Sequence, residues 1–263
     1  MKKTTFCFTC IVVLLLSCKN STNEQKNKQL VTAITGLQEQ VNKKPDSAGL
    51  RLALVNAFDS AKNYKEAISQ INILLKKDSL NYGFWFRKGQ LLSTVGDTPA
   101  AIRSFTYAAK IYPAPDALLS LGNLYAETKN SEALKIAQAV MHLKLGREYN
   151  AHCYFISGVY FARVGKTTEA LENFENCIKE NYTYMEAYME KGFIYYDAKK
   201  TEAALKIFIM AANINNTYAD AYYWQAKCYE ALNKKEDAVK NYQLAFKIDG
   251  QLKEAAQAID RLK

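Results

Sequence analysis

Two consecutive stretches, MEAYMEKGFIYYDAKKTEAALKIFIMAANINNTY (Met185–Tyr218) and ADAYYWQAKCYEALNKKEDAVKNYQLAFKIDGQL (Ala219–Leu252), fall into register at a shift of 34 residues. Tyr188 aligns with Tyr222, Gly192 with Ala226, Tyr195 with Tyr229 and Ala204 with Ala238; Phe208 aligns with Tyr242, Ala211 with Ala245 and Ile214 with Ile248. A fixed period of this length signals a repeat array rather than one globular core. Within a unit, Tyr188, Gly192 and Tyr195 recur at i, i+4 and i+7, one face of a first helix, and Ala204, Phe208 and Ala211 do the same on a second. Small residues at 192 and 204 let two antiparallel helices approach closely, with aromatics filling the space above and below. One such hairpin cannot bury both of its faces, so hairpins must stack.

The pattern is large at position 4, small at 8, Tyr at 11, Ala at 20, aromatic at 24 and Ala at 27. It resembles the tetratricopeptide repeat, a helix–turn–helix unit. The resemblance implies an all-α, right-handed superhelical solenoid. Two rulers count the array. The small residue of the first helix appears as Val55, Gly89, Gly122, Gly158, Gly192 and Ala226, and the alanine of the second as Ala67, Ala101, Ala133, Ala170, Ala204 and Ala238. Six repeats are expected, at 48–81, 82–115, 116–150, 151–184, 185–218 and 219–252. The step from Gly89 to Gly122 is 33 and that from Gly122 to Gly158 is 36. A shortened hairpin turn near Lys129 and extra residues in 143–150 are therefore expected in the third repeat. Leu30, Ala33, Ile34, Leu37 and Val41 form an amphipathic stripe before the array. Because Ala33 lies 34 residues before Ala67, residues 28–46 read as the second helix of a truncated repeat. Residues 253–263, with Ala255, Ile259 and Leu262 on one face, read as the solubilising cap that such arrays need.

The N-terminus belongs to a different class of segment. Lys2 and Lys3 precede an apolar run, Phe6–Leu16, that is too short for a membrane span of roughly 20 residues. The run ends in Leu15-Leu16-Ser17-Cys18, which resembles the lipobox of bacterial lipoproteins. The resemblance implies a signal peptide at 1–17 and lipid on Cys18. Residues 18–27 then form a tether whose apolar-free part, KNSTNEQKN, has an r.m.s. reach of about 15–18 Å. Lys19 after the cysteine implies, by the same resemblance, an outer-membrane lipoprotein facing the periplasm.

The formal charge of +9 is read as a lysine-rich solvated surface or as attraction to anionic headgroups and acidic partners, with no nucleic acid expected. Three cysteines remain beyond Cys18: Cys153, Cys177 and Cys228. Cys153 and Cys177 either pair in an oxidising compartment or stay buried as small hydrophobes. The adjacent His152 and Cys153 point about 100° apart on a helix, a poor catalytic or metal pair. No HExxH, CxxC, GxSxG or phosphate-loop motif follows the signal region. Glu202 and Glu236 recur two residues before the packing alanine, Glu169 stands one before it, and all three read as helix-start residues. Neither catalysis nor a cofactor or metal is expected.

The resemblance places certain positions of each first helix on a partner-binding groove. Position 5 reads Leu52, Phe86, Leu119, Phe155, Met189 and Tyr223, all apolar or aromatic. Position 9 reads Asn56, Gln90, Asn123, Val159, Phe193 and Lys227, and position 12 adds Tyr196. Two readings of this stripe stand open: groove lining for a protein or peptide, or packing between repeats. Leu52 occupies the position where the carboxylate clamp of some family members has Lys, so that clamp is not expected. The expected role is a membrane-anchored adaptor or scaffold in envelope, pilus or secretion-complex assembly. Carbohydrate binding through Phe193, Tyr196 and Tyr223, or a purely structural spacer, are the alternatives.

Overall fold

A computed structural model of the protein describes residues 28–262. The expected signal peptide, Cys18 and the tether lie outside the described residues. The fold is an all-α solenoid of stacked helix hairpins, with no strand among the described residues. Two compact units divide the chain at residues 113 and 114.

The first unit holds α1 (28–43), α2 (Ala48–Ser60), α3 (Tyr64–Lys77), α4 (Tyr82–Thr94) and α5 (Thr98–Ile111). Ser47, Asn81 and Asp97 start α2, α4 and α5 by accepting hydrogen bonds from Leu50, Phe84 and Ala100 N–H. Leu54, Val55, Ile71, Leu74 and Leu91 fill its core, and Ile34, Leu37 and Val41 of α1 cover that core. The correspondence of Ala33 with Ala67 fails: Ala67 is fully buried, whereas Ala33 is exposed and Val41 carries the contact.

The second unit holds α6 (Pro115–Glu127), α7 (Glu132–His142), α8 (Arg147–Arg163), α9 (Thr167–Glu180), α10 (Met185–Asp197), α11 (Thr201–Ile214), α12 (Ala219–Ala231), α13 (Lys235–Ile248) and α14 (Lys253–Leu262). Ala133, Ala170, Ala204 and Ala238 are fully buried, as the pairing of small with large residues demands. Phe174, Phe208 and Tyr242, four residues after the latter three alanines, are equally deep. The third hairpin lacks the aromatic; Ala137 takes its place, and Ile136 with Ile156 fills the space over Gly122. On the far side of that hairpin, α8 begins at Arg147, ahead of the boundary expected at 151. Gly146, at φ +108°, turns the chain, and Arg147 anchors the new turn on Glu180 and the Lys179 carbonyl. The extra residues therefore lengthen a helix to 17 residues instead of forming only a loop. Ala255, Ala258 and Ile259 seat α14 on α13, and the Arg261 guanidinium grips both oxygens of Glu230.

Every hairpin turn uses one device. Lys62, Gly96, Lys129, Gly165, Lys199 and Asn233 all have left-handed φ, between +57° and +82°. In each case the next residue's N–H reaches back five residues to a first-helix carbonyl, as from Asn63 to Phe58 and from Lys200 to Tyr195. This Schellman closure satisfies carbonyls that the helix end would orphan, and it reverses the chain within about three residues. Glu66, Glu132, Glu169, Glu202 and Glu236 then stand in the first turn of the second helix, facing its positive dipole end.

Candidate functional site

In the first unit the face formed by α2 and α4 opens into a shallow cleft of about 540 Å³ lined by Leu52, Asn56, Phe86, Arg87 and Gln90, among others. Leu52 and Phe86 are half-buried, and Asn56 and Gln90 are exposed. Phe86 is fixed by stacking on Tyr82 at 5.7 Å and leaning on Phe105 at 5.6 Å. Arg87 organises the polar rim. Its guanidinium pairs with Asp59 at 2.6 Å and donates to the side-chain carbonyls of Asn56 at 3.0 Å and Gln90 at 3.4 Å. With both amides held by their oxygens, their NH₂ groups remain available as donors. An extended peptide offers backbone carbonyls that match such donors. Arg87 was missed by the sequence reading. Its one signal is a cation in the first helix, one residue after groove position 5.

In the second unit the stripe divides. Leu119, Val159 and Met189 are only 6%, 2% and 4% exposed, so at these positions it is packing, not lining. Leu119 and Val159 belong to one buried cluster, and Met189 shares another with Ala204, Phe208 and Cys228. Asn123 also departs from its expected role. Its Nδ2 lies 2.8 Å from His152 Nε2, so the amide donates inside the protein and is not left to orient a ligand. An amide nitrogen only donates, so the ring nitrogen accepts and His152 is neutral. Burial holds His152 below the usual histidine range, against the raising pull of Glu186 and Asp116. Phe155 packs among Tyr184 at 5.0 Å, Phe174 at 5.9 Å and His152 at 6.5 Å.

Three predicted residues do converge. Phe193 lies 4.7 Å from the Trp224 ring, Tyr196 5.4 Å and Tyr223 5.9 Å, the two tyrosines edge-on to the indole. Phe208 stacks beneath Trp224, and Tyr223 leans on Tyr242 at 5.5 Å. The four rings from α10 and α12 are half-buried, and Lys227 lies one turn beyond Tyr223. Burial raises the pKa of Tyr196 and Tyr223, which keeps both phenols as neutral donors across the physiological range. Trp224 is the centre of this group, and position-by-position reasoning passed over it because it sits one residue after groove position 5. Its status as one of two tryptophans in the chain was the available signal.

Cys153, Cys177 and Cys228 are free and buried, and burial pushes Cys153 up to about 11 and the other two to about 12. Among the described residues no three His, Cys, Asp or Glu side chains gather to hold a metal ion. Nor is any helix among them long and apolar enough to cross a membrane.

Family models for the tetratricopeptide repeat match residues 86–133 and 220–248. A search of curated protein sequences found no significant match. Among solved structures, the chain is similar to a tetratricopeptide repeat protein from Parabacteroides merdae, with a TM-score of 0.73 at 17% identity over 93% of this chain and 96% of that one. It is also similar to PilW, a type IV pilus biogenesis factor, with a TM-score of 0.63 at 16% identity over 80% and 96% of the two chains. A Thermus thermophilus tetratricopeptide repeat protein gives 0.57 at 16% identity over 69% and 98%. At these identities the likeness is one of fold.

Proposed function

The chain is a tetratricopeptide repeat protein, and from that premise we propose that it is a non-catalytic adaptor held at the bacterial outer membrane by lipid on Cys18. Its partner is a protein or peptide, held by the rings around Trp224; the cleft between α2 and α4 is a separate surface of the same kind. The observation that carries this reading is the convergence of Phe193, Tyr196 and Tyr223 on one half-buried indole. Rigid aromatic side chains supply large contact area with little rotamer entropy to lose, which is why they anchor interfaces. The anchoring part rests on Leu15-Leu16-Ser17-Cys18. A role in envelope, pilus or secretion-complex assembly draws support from the likeness to a pilus biogenesis factor.

Capture from envelope extract tests the binding reading. The double variant Phe193→Ala/Tyr223→Ala should recover far less partner than wild type, since truncating an interface anchor weakens binding by about 1–3 kcal/mol each. Equal recovery at unchanged melting temperature would assign these rings to packing alone. Recovery of glycan instead of protein would favour the carbohydrate reading. For the anchor, Cys18→Ala should abolish lipid labelling and move the protein out of the membrane fraction. A processed variant that still fractionates with membranes would remove the lipid from the account.

A further inference from the structure

Charge is unevenly divided along the chain. Residues 28–113 hold twelve Lys and Arg against six Asp and Glu, whereas residues 114–263 hold nineteen of each. The excess in the first unit has a local focus. On the side of α4 turned from Phe86 and Gln90, a cleft of about 610 Å³ lies between α3 and α4. Lys65 and Lys76 line it from α3, Trp85 and Lys88 from α4, and Ile68 adds to its apolar lining. Among the described residues the unit's ion pairs, Lys77 with Asp46 and Arg87 with Asp59, engage none of these lysines.

Lys88 is the telling residue. It is half-buried, with its ammonium 5.2 Å from the centre of the Trp85 ring. Burial first, and then the Arg103 guanidinium, draw its pKa down, and no carboxylate offsets them. A half-buried cation that feels a second positive charge, with no carboxylate against it among the described residues, is an arrangement that a bound carboxylate would relieve. The basic aromatic surface extends beyond the cleft, for Trp85 stacks on the half-exposed Tyr107 at 4.6 Å and Lys110 lies over that ring at 5.9 Å.

We propose that this cleft docks an acidic segment of a partner protein, with an apolar side chain against Ile68 and Trp85 and carboxylates between Lys65, Lys76 and Lys88. The spacing selects this occupant over a phosphate-bearing headgroup. Lys65 and Lys76 stand eleven residues apart on α3, roughly 16 Å along its axis, too far to converge on one phosphate. The apolar floor between them suits a peptide side chain. The site does not depend on the rings around Trp224, so it stands or falls separately from the adaptor reading.

Fluorescence anisotropy with the whole chain tests it, using a labelled peptide of repeated Glu-Glu-Leu and a Lys-Lys-Leu control. The acidic peptide should bind in the micromolar range, weaken at raised salt as screened charges do, and lose at least about tenfold in affinity on Lys65→Glu/Lys76→Glu. The same reversal in the other unit, Lys199→Glu/Lys206→Glu, should change nothing, and Phe193→Ala/Tyr223→Ala should leave this binding intact. Lys88→Met should raise the melting temperature while weakening the peptide severalfold. No binding of the acidic peptide, full affinity in Lys65→Glu/Lys76→Glu, or equal loss in the second-unit reversal would overturn the proposal. So would binding to phosphatidylglycerol vesicles with none to the peptide.

Discussion

A Cβ built at Gly192 would lie 2.3 Å from Phe208 Cε1, and at Gly89 and Gly158 the rings of Phe105 and Phe174 stand at 2.6 Å. These rings are fully or almost fully buried, so they cannot swing aside. Gly192→Ala is therefore expected to destabilise by about 1–3 kcal/mol, the usual range for overpacking. Chemical denaturation of single variants checks this, and Phe208→Leu in the same chain should recover part of the loss. His152 gives a prediction in pH. Its folded-state pKa lies below the unfolded value, so neutral His152 contributes stability that is present above about pH 6.5 and is lost as pH falls through the folded pKa. Unfolding free energy should decline from pH 7 toward 5 in wild type. In His152→Gln that decline should flatten, because glutamine does not titrate.

At the scale of the element, the turns carry a testable cost. Lys62, Lys129 and Lys199 adopt the left-handed conformation that Gly96 and Gly165 occupy freely. Lys199→Gly should stabilise the fifth hairpin by up to about 1 kcal/mol, and Gly165→Ala should destabilise the fourth by a similar amount. Thermal melts of the two variants, moving in opposite directions, are the check. The recurrence of small and aromatic residues from Val55 to Tyr242 made the hairpins legible, because close helix contact leaves a periodic mark. The turn device left none: three lysines, two glycines and an asparagine share a backbone state with no shared side chain. The start of α8 was hidden for a similar reason. Gly146 and the Arg147–Glu180 pair set it, and neither belongs to the repeat pattern.

Across the whole chain, the candidate site was legible in part. Position-by-position reading found Phe193, Tyr196 and Tyr223, which meet, and Leu52, Asn56, Phe86 and Gln90, which line one cleft. The same reading could not tell that Leu119, Val159 and Met189 are buried, because their clusters draw on several helices and the pattern within one helix is blind to that. It passed over Trp224 and Arg87 on the same ground, since each acts through contacts to another helix. Ring convergence and rim donors, not the length of the apolar stripe, now define the adaptor account.

Hydrogen–deuterium exchange of the protein with a partner captured by wild type tests that account most directly. Protection is expected in α10 and α12, around Phe193, Tyr196, Tyr223 and Trp224, and in α2 and α4, around Asn56 and Gln90. Protection confined to the second helices α9, α11 and α13, with α10 and α12 exchanging as in the free protein, would contradict it.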